Sequence, residues 1–116
     1  MPRRESPLES EMLQGTLDML VLRTLVLGPA HGHTIAHAIE RGSGDVLQIE
    51  HGSLYPALQR MLKEGWVESE TGISAKGRPT RIYRLTDAGI GHLGQELSSF
   101  ERMFAGITRV LAVAKV

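Results

Sequence analysis

From Ile90 onward the apolar residues Ile90, Leu93, Leu97, Phe100, Phe104, Ile107, Leu111 and Ala114 follow one another at steps of 3, 4, 3, 4, 3, 4 and 3. That alternation is an unbroken heptad register, and it commits the end of the chain to one long helix with a continuous apolar seam. The chain has 116 residues, 41% of them apolar, which is enough for one compact core and too little for two. So small a core leaves little chain to cover the seam. A second copy is the expected cover, making 86–116 a dimerisation helix that uses Leu93, Leu97, Phe100, Phe104, Ile107 and Leu111. The competing cover is the first helix of the same chain. Gly89, Gly91, Gly94 and Gly106 oppose a rigid coiled coil, each costing about 1 kcal/mol relative to alanine, and fraying or a bend near Gly91 and Gly94 is expected.

Upstream, residues 1–10 are rich in proline and charge and read as a disordered segment. Residues 11–27 carry Leu13, Leu17, Leu20, Val21, Thr24 and Leu25 at helical spacing, and Gly28-Pro29 ends that helix. A shorter helix over 32–40 presents Ile35, Ala36 and Ile39 and closes at Gly42-Ser43-Gly44. Val46–Glu50 reads as an extended connector or a minimal strand. The third helix begins near Ser53 as its cap, takes Pro56 in its first turn, and buries Leu54, Leu58, Met61 and Leu62 before Gly65 stops it. Two extended runs, Trp66–Thr71 and Thr80–Leu85, are joined by a Gly- and Pro-containing stretch that suits a projecting hairpin loop. Thr86 caps the last helix, with Asp87 in its first turn. The fold class is therefore mainly α (α+β): a winged helix-turn-helix over 11–85, with a two-stranded wing, followed by the C-terminal dimerisation helix.

Thirteen basic residues balance thirteen acidic ones, so a polyanionic partner must be met by local charge. Between Thr71 and Leu85 stand Lys76, Arg78, Arg81 and Arg84 with no acid, a composition that attracts a phosphate backbone. The competing reading pairs Arg81 and Arg84 with Glu68 and Glu70 across the hairpin, and one of the two arginines is expected to be so engaged. The outward face of the third helix carries Ser53, Pro56, Gln59, Arg60 and Lys63, with Tyr55 at its edge. Gln59 has the donor and acceptor geometry to read adenine, Ser53 suits a base edge or a phosphate, and Lys63 suits a phosphate. A merely solvated face has the same composition, and the adjacent basic hairpin favours the DNA-reading alternative. Two copies would read half-sites about one helical turn apart.

Three of the five histidines, His31, His33 and His37, fall within seven residues. The spacing of His33 and His37 suits zinc, but no third ligand is fixed; polar packing is the competing reading, and His51 is a candidate phosphate contact. No cofactor is expected. The chain has no cysteine, hence no thiolate nucleophile, and this fits a reducing compartment. It contains no nucleophile elbow, Walker loop or HExxH, so nothing supports an enzyme. The apolar stretch Leu17–Leu27 is half the length of about 20 residues that a bilayer requires and contains Asp18 and Arg23.

Four segments carry a family resemblance: Leu13-Gln14-Gly15-Thr16-Leu17-Asp18, His31-Gly32-His33-Thr34-Ile35, Gly52-Ser53-Leu54-Tyr55-Pro56-Ala57-Leu58, and Gly77-Arg78-Pro79 running into Tyr83-Arg84-Leu85-Thr86. In combination they resemble the PadR family of bacterial winged helix transcriptional regulators. The resemblance implies a cytoplasmic homodimeric repressor that binds double-stranded DNA at an inverted-repeat operator. It implies that the third helix, with Ser53, Tyr55 and Pro56, enters the major groove while Lys76 and Arg78 of the wing hold the flanking backbone. The single C-terminal helix is similar to the short branch of the family, in which it packs on the partner's first helix. Members typically control detoxification genes and release DNA on binding a small aromatic or amphipathic effector. Two departures stand out: Gly32-His33 where the family usually has Gly-Tyr, and Trp66, read as core packing, where leucine usually follows the third helix. The alternatives are a winged helix that docks a protein, and a metal-sensing repressor.

Overall fold

The computed structural model describes residues 14–114; the segment expected to be disordered, 1–10, lies outside them. The elements in order are α1 (Gln14–Leu25), β1 (Ala30–His31), α2 (Gly32–Gly42), α3 (His51–Glu64), β2 (Val67–Ile73), β3 (Pro79–Leu85) and α4 (Asp87–Ala114). Leu22, Ile35, Leu54, Leu58 and Met61, contributed by α1, α2 and α3, are fully enclosed, and Val67 and Tyr83 close the core from the sheet. This is a winged helix-turn-helix carrying a long C-terminal helix.

The wing is the expected two-stranded hairpin of β2 and β3, and a short third strand joins its sheet. The sheet has three strands in the order β1-β3-β2, all antiparallel: Ala30 faces Tyr83 and His31 faces Ile82 on one side of β3, while Val67 through Ile73 face Leu85 through Pro79 on the other. A two-residue strand leaves no alternation to read in a sequence; it exists because β3 offers it a free edge. Both hairpin strands also extend further toward the tip than expected, and Ser74–Arg78 close it through Ser74 N to Arg78 O (2.8 Å) and Gly77 N to Ser74 O (2.9 Å).

Val46–Glu50 is a connector and not a strand, because side chains take its amides. Leu47 N donates to Ser43 Oγ (3.0 Å) and Ile49 N to Glu40 Oε2 (2.8 Å), which tethers the connector to the end of α2 and buries Ile49. The third helix starts two residues before Ser53. Glu50 is its N-cap and makes no side-chain capping bond, so Ser53 is no cap, and Pro56 sits in the second turn. There it withholds the amide that the Gly52 carbonyl would otherwise receive.

The entry to α4 is as the sequence indicates. Thr86 Oγ1 accepts from Gly89 N (3.0 Å), and Asp87 stands in the first turn. The helix is unbroken through Gly91 and Gly94: α4 is one helix of 28 residues, about 42 Å long. Its first half packs on α1, burying Leu93 and partly Phe100. Its second half carries Phe104, Ile107 and Leu111 exposed. Trp66 is partly buried, with its ring stacked on His92 at 3.6 Å.

Gly89 is required by this packing, since a Cβ there would overlap the Trp66 carbonyl oxygen. Gly89→Ala is expected to lower stability by about 1–3 kcal/mol. Gly91→Ala, whose Cβ would meet nothing within 4 Å, is expected to raise it by about 0.5–1 kcal/mol. Thermal unfolding followed by circular dichroism checks both, and equal shifts would contradict the packing described.

Candidate nucleic-acid interface

With 3.6 residues per turn, α3 turns its buried stripe of Leu54, Ala57, Leu58 and Met61 inward and presents Gly52, Pro56, Gln59 and Lys63 on the opposite side. Pro56, Gln59 and Lys63 are exposed. The remaining expected residues of this helix divide between two flanks. Tyr55 lies toward α2, against Gly32, where a Cβ would come within 2.8 Å of the tyrosine hydroxyl oxygen, and keeps 40% of its surface exposed. Ser53, half-buried, and Arg60 lie on the other flank, toward α1.

Arg60 does not belong to the outward face. Its guanidinium is hydrogen-bonded to the carboxylate of Asp18 on α1, a side chain only 5% exposed. Desolvation raises the Asp18 carboxyl above its ordinary value of 3.8; the Arg60 charge and hydrogen bond oppose that rise, as does His92, while Glu96 adds to it. The close pair and the upward shift pull in opposite directions, and burial prevails. Asp18 was missed as a structural partner, and the signal for it was an acid inside the apolar run Leu17–Leu27.

On the wing, Arg84 is the arginine held by acids, with Nη2 3.5 Å from Glu68 Oε1 and Nη1 3.4 Å from Glu70 Oε1. Arg81 instead donates to the Ser69 hydroxyl (2.9 Å), which leaves its charge uncancelled there. Lys76 and Arg78 are exposed at the tip.

The histidines regroup. His31 turns its Nδ1 toward the Arg81 carbonyl (3.4 Å), away from the other two, and His51 takes its place: the His33 ring lies 4.3 Å from that of His37 and 6.1 Å from that of His51. Among the described residues no three His, Cys, Asp or Glu side chains are placed to hold a metal ion. Among them, too, no helix is long and apolar enough to cross a membrane.

A polar reading helix, an adjoining basic hairpin and a long tail helix define a winged helix regulator. The sequence profile of the "Transcriptional regulator PadR-like family" matches residues 21–95, and the chain belongs to that family. Its fold is similar to a transcriptional regulator from Clostridium thermocellum (TM-score 0.76, 27% identity, covering 83% of this chain and 93% of that one). It is also similar to a PadR family transcriptional regulator from Eggerthella lenta (TM-score 0.73, 30% identity, 84% and 83%). A third similar structure is Bacillus subtilis PadR in complex with operator DNA (TM-score 0.63, 27% identity), of which this chain covers 46% while 70% of this chain is matched.

Arg60→Ala leaves a buried carboxylate without its partner and is expected to cost about 3–5 kcal/mol at neutral pH. Because the folded Asp18 carboxyl titrates above its unfolded value of 3.8, its neutral form favours the native state below that pH, and that advantage is lost as pH rises through the folded value. The stability gap between Arg60→Ala and the parent should therefore widen from acid to neutral pH. Urea unfolding across that range checks this, and a constant gap would dismiss the pair.

Proposed function

We propose that the chain is a homodimeric, sequence-specific DNA-binding repressor, released from an inverted-repeat operator by a small aromatic or amphipathic effector. The observation that carries the DNA reading is the division of charge. Acids hold Arg60 and Arg84, while Gln59 and Lys63 on α3 and Lys76, Arg78 and Arg81 on the wing stay on the outer surface. A chain of zero net charge thus offers phosphate a basic edge beside a polar helix. Gln59 reads a base edge, Lys63 and the wing hold backbone, and Ser53, Tyr55 and Pro56 line the groove side of the helix. The operator complex of the Bacillus subtilis protein supports this reading.

Dimerisation rests on α4. Leu97 (42%), Phe104 (59%), Ile107 (49%) and Leu111 (59%) form one exposed apolar stripe along the heptad seam, a surface that suits a partner helix. Leu93 is buried in the core of its own chain and Phe100 is partly buried against it, so the part of the expected seam left for a partner is Leu97, Phe104, Ile107 and Leu111. Effector release rests on a cavity of about 180 Å³ between α1 and α4, lined by Gly15, Met19, Glu96, Phe100 and Met103. A ligand wedged there would change the angle between the two reading heads.

Binding to DNA should weaken steeply with salt, and replacing Lys76 and Arg78 with alanine should lower the slope of log affinity against log salt by about 0.9 for each phosphate contact removed, alike for all sequences. Gln59→Ala should instead relax preference at one base position, by about 1–3 kcal/mol. Gel shifts on selected operator variants check both; no binding at any salt would favour a protein-docking winged helix. For the tail, Phe104→Glu should convert a sedimenting dimer to monomer and abolish operator binding, and a dimer that survives it would refute the α4 interface.

A further inference from the structure

His33 and His37 on α2 and His51 at the first position of α3 form a continuous row of rings, which Tyr55 extends by stacking on His51 at 5.5 Å. All four side chains are exposed. The row follows the α2-side flank of α3, beside the face that presents Pro56, Gln59 and Lys63. A shallow depression lined by His33, Thr34, His37 and Arg41 continues it along α2. The rings meet edge-on and stacked and do not converge on one point, so they do not make a cation site.

What such a row can do is take up protons. Imidazole is the side chain whose charge ordinarily changes between about pH 5 and 8. Charged, the row forms a cationic strip with Arg41, which lines the same depression on α2. The other titratable groups around it are Glu50, next to His51 in the chain, Tyr55, and, across β1, His31 and Arg81. Glu40 faces elsewhere, with its carboxylate accepting from Ile49 N. Two imidazolium rings 4.3 Å apart repel each other, and a phosphodiester laid along them removes that repulsion and adds charge-assisted hydrogen bonds.

We propose that His33, His37 and His51 form a proton-dependent phosphate clamp that grips the DNA backbone beside the reading helix. The clamp rests on the DNA-binding reading above and adds to it a pH dependence that the arginines and lysines cannot supply. The complex favours the charged rings, so binding takes up protons. The added affinity is present below the imidazole range and is lost as pH rises through it.

The test uses the full chain and a DNA duplex of mixed sequence, because backbone contacts do not depend on sequence. Fluorescence anisotropy over a salt series at about pH 8 and about pH 6 should give a steeper slope at the lower pH, by about 0.9 for each imidazolium recruited. Calorimetry of the unaltered protein in two buffers of different ionisation enthalpy should register proton uptake on binding, a readout that needs no variant. The triple substitution His33→Gln, His37→Gln and His51→Gln should match the parent at the higher pH and lose the gain at the lower. Binding at the higher pH with no proton uptake, or the same pH response in parent and triple variant, would overturn the clamp and leave the DNA-binding reading standing. Absence of DNA binding at every pH and salt would overturn both.

Discussion

One carbonyl oxygen joins the reading head to the tail. Trp66 O accepts from the Thr86 amide (3.1 Å), and the Thr86 hydroxyl is shared between the carbonyls of Trp66 (3.0 Å) and Gly65 (2.6 Å) while its oxygen receives Gly89 N. The start of β2, the end of β3 and the first turn of α4 thereby meet at a point with no room for a Cβ on residue 89. The direction in which α4 leaves the wing follows from this knot, as does the placement of its exposed apolar stripe. Trp66 reinforces it from the other side, where its ring covers His92, which in turn lies 3.4 Å from Glu96 one helical turn on.

The second constraint is electrostatic. Burying Asp18 is costly, and Arg60 offsets only part of that cost, as the raised carboxyl indicates. What the pair does is geometric: it joins α1 to the flank of α3 across 42 residues of sequence, fixing which face of α3 turns outward. The cation so used is withdrawn from the surface, just as Arg84 is withdrawn by Glu68 and Glu70. Half of the arginines that composition alone would assign to a phosphate surface are thus structural, and those that remain lie toward the tip and outer edge of the wing.

Much of this was legible in the sequence because it is encoded locally. The heptad steps of the last helix, the Thr86 cap, the apolar stripe of α3 and the acid-free stretch of the hairpin each need only neighbours in the chain to be read, and each recurs in the structure. What escaped depends on partners distant in sequence. Strand β1 is two residues whose strand character comes entirely from Tyr83 and Ile82 across from them. The start of α3 moved to His51 because the connector before it is tethered by Ser43 and Glu40, which no capping rule includes. Arg60 has the residue type and spacing of a DNA contact, and only the approach of α1 reveals its other use. His31 leaves the histidine group and His51 joins it for the same reason, since β1 pairs with β3 and sets His31 beside the Arg81 carbonyl while the start of α3 brings His51 to His33.

These links make α1 the element that contacts both the tail helix and the two helices of the head. It packs on α4 along one side and on α2 and α3 along another, and Asp18 faces Arg60 while the same helix end walls the α1–α4 cavity with Gly15 and Met19. A shift of α4 that α1 follows must move Asp18 relative to Arg60 or carry α3 along with it. Breaking a buried ion pair is the more costly course, so the rigid-body motion of α1 and α3 together is the one the structure favours. In the proposed switch, a half-compensated buried charge would therefore couple a shift of the tail helix to α3.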